Sequence, residues 1–476
     1  MLRQGRVDEG IEAYRTLLIS APHLADAWYN LGYLQRSARQ FEAALASYGA
    51  ALAHGIAGAE DVHVNRAVIL AEHLGRDVEA EQELAKAIST SPTFLPAWLN
   101  LGLLHEDRGD ALGARAAYQR AREIDPTHGR ADARLAAIDI AEGKAAQAVR
   151  GLEERRAEAG LSQEGAAEIG FMLGNAHDSM GDYAAAFQAF VRANQIAQSV
   201  IPPQLRYSHA AHDRFIDDVI GAFPIADRLT STTDGDPPVF ICGMFRSGST
   251  LCERLLARHS RVTAGGELET IPALVASRLQ PYPARFAGLP NTGLDALRGE
   301  ALIEWQARFP QADVLTDKLC ANFLHIGLIK TLFPESKIVH TRRHVLDNIL
   351  SVFFHYFDDS LSYGFSLDDL VHYYNGYRRI MDHWSSLYGK DIFDFDYDAV
   401  VRDPETVMRA LLDFCGLEPE TACLAGEAAQ GIVRTASAWQ IRAPLHVRSS
   451  GRWHNYAAQI PEVIAALPAY CGSSSP

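Results

Sequence analysis

Apolar residues recur at helical spacing through the first two-fifths of the chain. Over residues 1–197 they stand at i, i+3, i+4 and i+7, which is the pattern of amphipathic helices. After the polar, Pro-ended stretch 230–238, short apolar runs alternate with helical segments. We predict strands at 239–245, 312–318, 337–342 and 391–400, and helices at 249–259, 321–333, from about 346, and 404–415. This alternation indicates a parallel sheet flanked by helices.

The helical half also repeats itself. Segments 27–52 and 97–126 carry the same residue types at the same offsets, two periods of about 35 residues apart. The shared positions are Trp28 and Trp98, Leu31 and Leu101, Gly32 and Gly102, Ala44 and Ala114, Tyr48 and Tyr118, and Ala51 and Ala121. A copy between them has Ala80, Leu84, Ala87 and Pro92, and a later copy has Leu173, Gly174, Ala186, Phe190 and Ala193.

This pattern resembles the tetratricopeptide repeat, which has two antiparallel helices in each unit of about 34 residues. The small residues let the helices approach, the aromatic residues fill the gap to the next unit, and we expect Trp28 and Trp98 in the core. The first unit begins at its second helix, with Tyr14 and Pro22 in phase, which indicates a missing upstream start or an unusual cap. Arrays of this kind usually bind on their concave surface, so a protein or peptide partner is expected.

A glycine-rich loop opens the second half. In "FICGMFRSGSTL", Gly243 and Gly248 have the spacing of a nucleotide-binding P-loop, and the loop lies between a predicted strand and a predicted helix. A helix N-terminus offers free N–H groups and the positive end of the helix dipole to a phosphate. Ser249, however, occupies the position of the lysine that reaches the β- and γ-phosphates of ATP or GTP. Its loss indicates a donor without a triphosphate chain, whose anion Arg246 can bind instead.

Several ordered motifs within residues 237–456 carry a family resemblance: "FRSGSTL", "AGGELETIP", "TDK", "KIVHTRRHVLDNILS" and "RSSGRW". They resemble the sulfotransferases that use 3′-phosphoadenosine 5′-phosphosulfate (PAPS). The similarity is greatest to the tyrosylprotein sulfotransferases and to the tetratricopeptide-repeat sulfotransferases related to them. The resemblance implies a P-loop-type three-layer α/β/α domain that transfers a sulfuryl group from PAPS to a hydroxyl. It implies no metal.

The resemblance also implies roles for individual residues. Glu267 would be the base that takes the acceptor proton, Lys318 would donate to the sulfuryl or bridging oxygen, and Arg246 would stabilise the leaving phosphate. The 5′-phosphosulfate loop would consist of Arg246, Ser247, Gly248, Ser249, Thr250 and Leu251. Arg343 and Ser351 would bind the 3′-phosphate, Tyr397 would contact the nucleotide, and Ser437, Arg448 and Arg452 would belong to a closing segment.

Some of these assignments have neighbours that could replace them. Glu269 is an alternative to Glu267, and Arg342 is an alternative to Arg343. Asp398 stands where the family has a glutamate after the tyrosine. We do not read "HTRRH" (340–344) as a metal site, because it straddles a strand end and a loop rather than one helical face.

Composition and charge bear on the binding partners and the location of the protein. Fifty-nine acidic and 44 basic residues give a net charge of -15, which argues against nucleic-acid binding. No apolar run reaches the ~18 residues of a membrane span, and the N-terminus lacks the apolar core of a signal peptide. Six scattered cysteines, at 242, 252, 320, 415, 423 and 471, fit reduced thiols. We expect a cytoplasmic protein that binds neither nucleic acid nor membranes.

The sequence therefore predicts three regions: a tetratricopeptide-repeat array at 1–197, a linker at 198–236 and a PAPS-dependent sulfotransferase domain at 237–476. The acceptor hydroxyl could belong to a protein tyrosine, a saccharide or a small metabolite, because a fold does not determine its substrate. Two other classes stay open, a P-loop kinase or NTPase and a repeat scaffold that binds a nucleotide without catalysis. Residues 289–311 are expected to shape the acceptor side.

Overall fold

The first unit of the chain consists of helices in the residues that its structure describes. The computed structural model describes residues 7–158, 160–225, 237–357, 359–424 and 450–467. By its internal contacts the chain divides into two units, Met1–Ile196 and Ala197–Pro476. The helices run in the order α1 Val7–Ser20, α2 Ala25–Ser37, α3 Phe41–Ala53, α4 Ala59–Val68, α5 Asp77–Thr90, α6 Leu95–Arg108, α7 Ala111–Ile124, α8 Arg130–Ala141, α9 Ala145–Ala157, α10 Gln163–Ser179 and α11 Tyr183–Val200.

Glycines on the first helix of a pair receive aromatic rings from the second helix. A Cβ atom at Gly32 would lie 2.9 Å from the Tyr48 ring, and one at Gly102 would lie 2.4 Å from the Tyr118 ring. Both rings are buried. Tyr48 also belongs to the buried cluster that includes Val62 of the following helix, so the core of this repeat is continuous with that of the next. Only a side chain without a Cβ fits beneath these rings, which explains the repeated Leu-Gly pair.

The two repeat tryptophans, which we expected in the core, each make a specific hydrogen bond. Trp28 and Trp98 are half-buried. The Trp28 indole N–H donates to the carbonyl of Pro22 at 2.8 Å, and that of Trp98 donates to the carbonyl of Pro92 at 3.0 Å. Each indole therefore fixes the loop that precedes its own helix pair, in the same geometry in both units.

The described part of the second unit contains five parallel strands in the order β2-β3-β1-β4-β5. The strands are β1 Val239–Gly243, β2 Val262–Ala264, β3 Val314–Lys318, β4 Ile338–Arg342 and β5 Ile392–Asp396. Ile241 belongs to a buried cluster with residues of the helices beside it, whereas the ring of Phe240 meets Trp305 on the opposite face. Helices therefore cover both faces of the sheet. The predicted fold class, a repeat solenoid followed by a parallel α/β domain, is confirmed.

The described part of the second unit also contains further helices. They are α12 His209–Ala222, α13 Ser249–Leu256, α14 Thr270–Arg278, α15 Ala284–Ala287, α16 Asn291–Arg308, α17 Ile326–Leu332, α18 Val345–Phe353, α19 Leu367–Tyr388, α20 Tyr397–Arg402, α21 Pro404–Cys415, α22 Thr421–Leu424 and α23 Pro461–Ala466. Short 3₁₀ segments lie at Pro203–Leu205, Cys320–His325, Asp359–Phe365, Gly389–Asp391 and Arg452–Gln459.

Two predicted elements differ clearly from the structure, and one observed strand was not predicted. The long helix expected from about 346 is two helices, because α18 ends at Phe353 and α19 starts after the capping Ser366, whose hydroxyl accepts from the Asp369 N–H. The strand predicted at 391–400 ends at Asp396, whose side chain caps α20 by accepting from the Ala399 N–H. The three-residue strand β2 was not predicted.

Part of the predicted linker is built into the second unit. Helix α12 packs against α19. The Tyr207 hydroxyl lies 2.9 Å from His372 Nδ1, and His209 Nε2 lies 2.7 Å from Asp369 Oδ1. Residues 226–236 lie outside the described part of the chain. Within the described residues, 198–225 therefore do not form a plain connector.

The expectations about membrane spans and cysteines can be compared with the described residues. No described helix combines the length and the apolar character that crossing a membrane needs. The five described cysteines, at 242, 252, 320, 415 and 423, are free thiols, and Cys471 lies outside the described residues.

Candidate functional site

The glycine-rich loop turns tightly between β1 and α13. Gly248 has φ 101°, and a Cβ atom there would lie 2.7 Å from the ring of Tyr397. A Cβ atom at Gly243 would lie 2.4 Å from the carbonyl oxygen of Thr341 on β4. Arg246 has φ 68°, a left-handed conformation that is uncommon outside glycine. The two glycines therefore let the loop pack closely against β4 and Tyr397. The left-handed backbone at Arg246 sets the direction of its side chain.

Three of the predicted loop residues direct their side chains into the protein. The Ser247 hydroxyl donates to the Met244 carbonyl at 2.6 Å and lies 2.6 Å from the Thr341 hydroxyl. The Ser249 hydroxyl lies 3.3 Å from the Cys320 sulfur, and Leu251 packs against the apolar core. These side chains fix the loop, so the groups that the loop can offer to an anion are backbone N–H groups, the half-buried Thr250 and the guanidinium of Arg246.

Arg343 and Ser351, the residues predicted to bind the 3′-phosphate, both contact Arg246 of the loop. Arg246 Nε donates to the Ser351 hydroxyl on α18 at 3.2 Å, and Arg343 Nη1 donates to the Arg246 carbonyl at 3.4 Å. The Arg343 guanidinium lies over the Tyr397 ring, 5.1 Å from its centroid. Arg342 is different, because it donates to Asp394 Oδ2 at 2.7 Å. Arg343 therefore lies against the loop, whereas Arg342 is paired with Asp394.

Positive charge is concentrated around this loop. Burial and, to a smaller extent, the nearby charges of Arg343 and Arg452 together lower the pKa of Arg246 to about 10. A pKa of about 10 still leaves the guanidinium charged at neutral pH. Like charges held together in a partly buried site favour a bound anion, because an anion relieves their mutual repulsion.

One buried carboxylate ties the C-terminal segment to this cluster. Asp347 on α18 is 2 % exposed, and it accepts from the N–H of Gly451 at 2.6 Å and from the N–H of Trp453 at 2.8 Å. Burial raises the pKa of Asp347. The residue between the two donors is Arg452, whose guanidinium lies 5.2 Å from the centroid of the Phe354 ring. Asp347 thus holds Arg452 beside α18.

Sequence reasoning did not identify Asp347. The available signal was a charged residue within the otherwise apolar start of a helix, "VLDNILS". Asn348, its neighbour, was also missed, and its side-chain amide donates to the Phe245 carbonyl at 2.9 Å and so holds the loop. Of the predicted closing segment, Ser437 and Arg448 lie outside the described residues.

The predicted base and the predicted lysine form an ion pair. Lys318 at the end of β3 is buried, and its Nζ donates to Glu267 Oε1 at 2.6 Å. Burial lowers the pKa of Lys318, but the charge of Glu267 and this hydrogen bond outweigh burial and leave the pKa raised. The Glu267 side chain is half exposed, so its carboxylate can be reached from solvent. The neighbouring Asp317 does not pair with Lys318 but accepts from the Leu268 N–H at 3.3 Å.

The sheet register brings this ion pair to the side of the loop. Strand β3 lies next to β1, with Lys318 opposite Ile241, and the contact between Ser249 and Cys320 joins the start of α13 to the residues after β3. Glu269, the alternative base, is exposed at the start of α14. The carboxyl ends of β3, β1 and β4 therefore present Lys318, the loop and Arg343 along one edge of the sheet.

A cavity of about 590 Å³ opens on the β4 and β5 side of the loop. Its lining includes Ser247, Arg343 and Asn348, but neither Glu267 nor Lys318. His340, which we did not read as a metal ligand, also lines the cavity, where its Nδ1 lies 2.7 Å from Asp394 Oδ1 and its Nε2 contacts the Tyr377 hydroxyl. The cavity adjoins the arginine end of the site rather than the ion pair.

Models of protein families match two separate parts of the chain. Residues 237–421 match the model described as "Sulfotransferase family", and residues 2–39, 32–93, 96–129 and 167–199 match models of the tetratricopeptide repeat. The chain therefore carries a sulfotransferase-family domain together with tetratricopeptide repeats.

The chain aligns with only part of each similar curated protein. An "Uncharacterized protein" of Aquifex aeolicus is 31% identical over 321 residues, which are 63% of this chain and 41% of the relative. The "Probable biofilm formation methyltransferase WspC" of Pseudomonas putida is 37% identical over 90 residues, which are 19% of this chain and 21% of the relative. The chain thus spans less than half the length of the curated relatives that it matches.

Solved structures resemble part of this chain at low scores. "Crystal structure of MamA" has a TM-score of 0.30 at 20% identity and covers 32% of this chain and 88% of that one. A structure of PilW, described as a type IV pilus biogenesis factor, has a TM-score of 0.34 at 20% identity and covers 41% of this chain and 87% of that one.

Proposed function

We propose that the second unit transfers a sulfuryl group from PAPS to an acceptor hydroxyl, without a metal, and releases adenosine 3′,5′-bisphosphate. The observation that carries this proposal is the cluster of Arg246, Arg343 and Arg452 around a P-loop that has serine in place of lysine. A donor with a 5′-phosphosulfate and a separate 3′-phosphate places two anionic groups at such a site. The match of residues 237–421 to the sulfotransferase family supports the same donor.

The residues present fit the two ends of this donor. The loop N–H groups, Thr250 and the start of α13 suit the 5′-phosphosulfate, because a helix N-terminus stabilises an anion. Arg343, Ser351 and Arg452 suit the 3′-phosphate, for which guanidinium and hydroxyl donors give charge-assisted hydrogen bonds. Tyr397 lies between them, against Gly248 and below Arg343, where it suits the nucleoside. We include Ser437 and Arg448 in the same proposed site on the sequence alone.

The transfer step uses Glu267, Lys318 and Arg246. Glu267 takes the proton of the acceptor hydroxyl as the hydroxyl oxygen forms its bond to sulfur. The bond between sulfur and the 5′-phosphate oxygen breaks, and the electron pair stays on that oxygen. Arg246, Thr250 and the N–H groups at the start of α13 stabilise the resulting charge. Lys318, whose raised pKa keeps it protonated, donates to the sulfuryl group.

For the acceptor we propose a protein tyrosine, delivered by a protein or peptide that the repeat array binds. The support is the presence of the repeats beside the transferase domain and the likeness of its motifs to the tyrosine-modifying enzymes. A saccharide or a small hydroxylated metabolite is the second candidate, because the exposed Glu267 leaves room for either. On its scattered cysteines we place the protein in the cytoplasm. On its net charge of -15 and its lack of an apolar run of ~18 residues we propose no nucleic-acid or membrane partner.

Calorimetric binding of adenosine 3′,5′-bisphosphate tests the donor. The titration contains EDTA, and AMP and ATP serve as matched nucleotides that lack the 3′-phosphate. We expect tight binding of the bisphosphate alone, because Arg343 and Ser351 need the 3′-phosphate to contribute. Preference for ATP with Mg²⁺ would replace the proposal with a P-loop kinase or NTPase. Binding of the bisphosphate without transfer from PAPS to any acceptor would favour a repeat scaffold that binds a nucleotide without catalysis.

A further inference from the structure

Two buried carboxylates lie behind the loop that carries Glu267. This loop connects β2 to α14 and includes Gly265 and Gly266. Glu253 lies on α13 and is 6% exposed, and Asp317 lies on β3 and is fully buried. Neither carboxylate has a part in the transfer step proposed above.

The two carboxylates bind the backbone on either side of Glu267. The Gly266 N–H donates to Glu253 Oε1 at 3.0 Å, and the Leu268 N–H donates to Asp317 Oδ1 at 3.3 Å. The loop is held at a third point, because the Lys318 N–H donates to the Gly266 carbonyl at 2.8 Å. The residues directly before and after Glu267 are therefore fixed by groups on α13 and β3.

Burial of these two carboxylates is unfavourable by itself, so other interactions must compensate for it. Burial raises the pKa of Glu253 and of Asp317, which reflects the free energy of placing such groups in apolar surroundings. Glu253 Oε1 also accepts from the Thr316 hydroxyl at 2.7 Å, so α13 and β3 are joined through one oxygen. A chain with two successive glycines has unusual conformational freedom, and Gly266 has φ 66°. Such a loop would not keep Glu267 in one place without external hydrogen bonds.

We infer that Glu253 and Asp317 are positioning residues for the base, an inference that rests on the proposed function of Glu267. By holding the Gly266 and Leu268 N–H groups they keep the Glu267 carboxylate 2.6 Å from Lys318 Nζ and directed toward the acceptor. They exchange no proton with the acceptor. The amides Gln and Asn, which keep an accepting oxygen, can replace them, but alanine cannot.

The test compares turnover and donor-product affinity in the full chain. PAPS is the donor, and the acceptor is a tyrosine peptide, N-acetylglucosamine or 4-nitrophenol, whichever the parent protein sulfates fastest. We expect Glu253→Ala and Asp317→Ala to lower kcat about 10–100-fold, because a displacement of about 1 Å costs on the order of 10²-fold. The Kd of adenosine 3′,5′-bisphosphate should stay within about 2-fold. Glu253→Gln and Asp317→Asn should restore kcat to within about 3-fold, because each keeps the accepting oxygen.

A double-mutant cycle separates positioning from general stability. In the Glu267→Gln background, Glu253→Ala should lower kcat no further, since no base is left to position. Multiplied losses in the double variant, or loss of donor affinity equal to the loss of kcat, would overturn the inference while leaving the proposed function intact. If Glu253→Ala does not fold, Glu253→Asp, which retracts the carboxylate by one methylene, is measured in its place with the same expectation. A parent protein that transfers no sulfuryl group to any of the three acceptors would overturn both proposals.

Discussion

Removing the Asp347 carboxylate should release the segment that carries Arg452. Asp347 accepts two backbone N–H groups, at 2.6 and 2.8 Å, while only 2% exposed. A hydrogen bond to a charged group contributes about 1.5–3 kcal/mol, so Asp347→Ala removes roughly 3–6 kcal/mol of anchoring. Other contacts keep part of the segment in place, among them the parallel rings of His344 and Trp453, whose centroids lie 5.4 Å apart. We therefore expect the Kd of adenosine 3′,5′-bisphosphate to rise about 10–100-fold.

Calorimetry with two nucleotides makes this prediction specific. AMP lacks the 3′-phosphate that we assign to Arg452, so its affinity should change by less than about 3-fold. Asp347→Asn keeps one accepting oxygen and should weaken the bisphosphate by less than about 10-fold. Asp382→Ala is the control and should bind as the parent does. It removes an aspartate from the lining of the cavity on the β4 and β5 side of the loop. Equal losses for AMP and the bisphosphate, or no loss in Asp347→Ala, would refute the proposed role of the anchor.

Three other substitutions test the donor site and the repeat packing. Glu267→Gln should leave bisphosphate binding intact and lower turnover about 10²–10⁴-fold, and unchanged turnover would remove it from the mechanism. Arg343→Ala should weaken the bisphosphate at least about 10-fold by calorimetry, whereas Arg342→Ala, which loses an exposed ion pair, should not, and equal effects would contradict our assignment. Gly102→Ala should destabilise the chain to thermal unfolding by about 1–3 kcal/mol, because its Cβ would lie 2.4 Å from a buried ring. Gly151→Ala, with open space around it, is its control and should be neutral or slightly stabilising.

Local sequence patterns predicted the central elements of the fold. Strand β1 is a continuous apolar run that ends at glycine, which is typical of a buried parallel strand. Strand β4 begins with the apolar pair Ile338 and Val339 and ends at a charged residue, Arg342. Strand β2 is too short, and too polar at Thr263, to give such a signal. The interruption after Phe353 was not predicted, because the apolar pattern continues into "FFHYF" without a proline or glycine.

Residues that act through distant partners could not be predicted. Asp347 binds backbone groups more than 100 positions further along the chain, and Glu253 binds a loop 13 positions away, across the sheet edge. Backbone donors have no identity in a sequence, so nothing marks them as partners of a carboxylate. Glu267 and Lys318 were found by a motif, but only the structure reports that they form an ion pair.

The strand order separates the two sides of the proposed site. The groups proposed for the donor come from the loop after β1, the end of β4, α18, α20 and Arg452, whereas α14, α15 and α16 lie in the connection between β2 and β3. This connection follows directly after the Glu267 loop, and its Trp305 packs against Phe240 of β1. If residues 289–311 shape the acceptor side, as the sequence predicts, substitutions at exposed positions of this one continuous stretch can change the acceptor while the arginine cluster keeps the same donor.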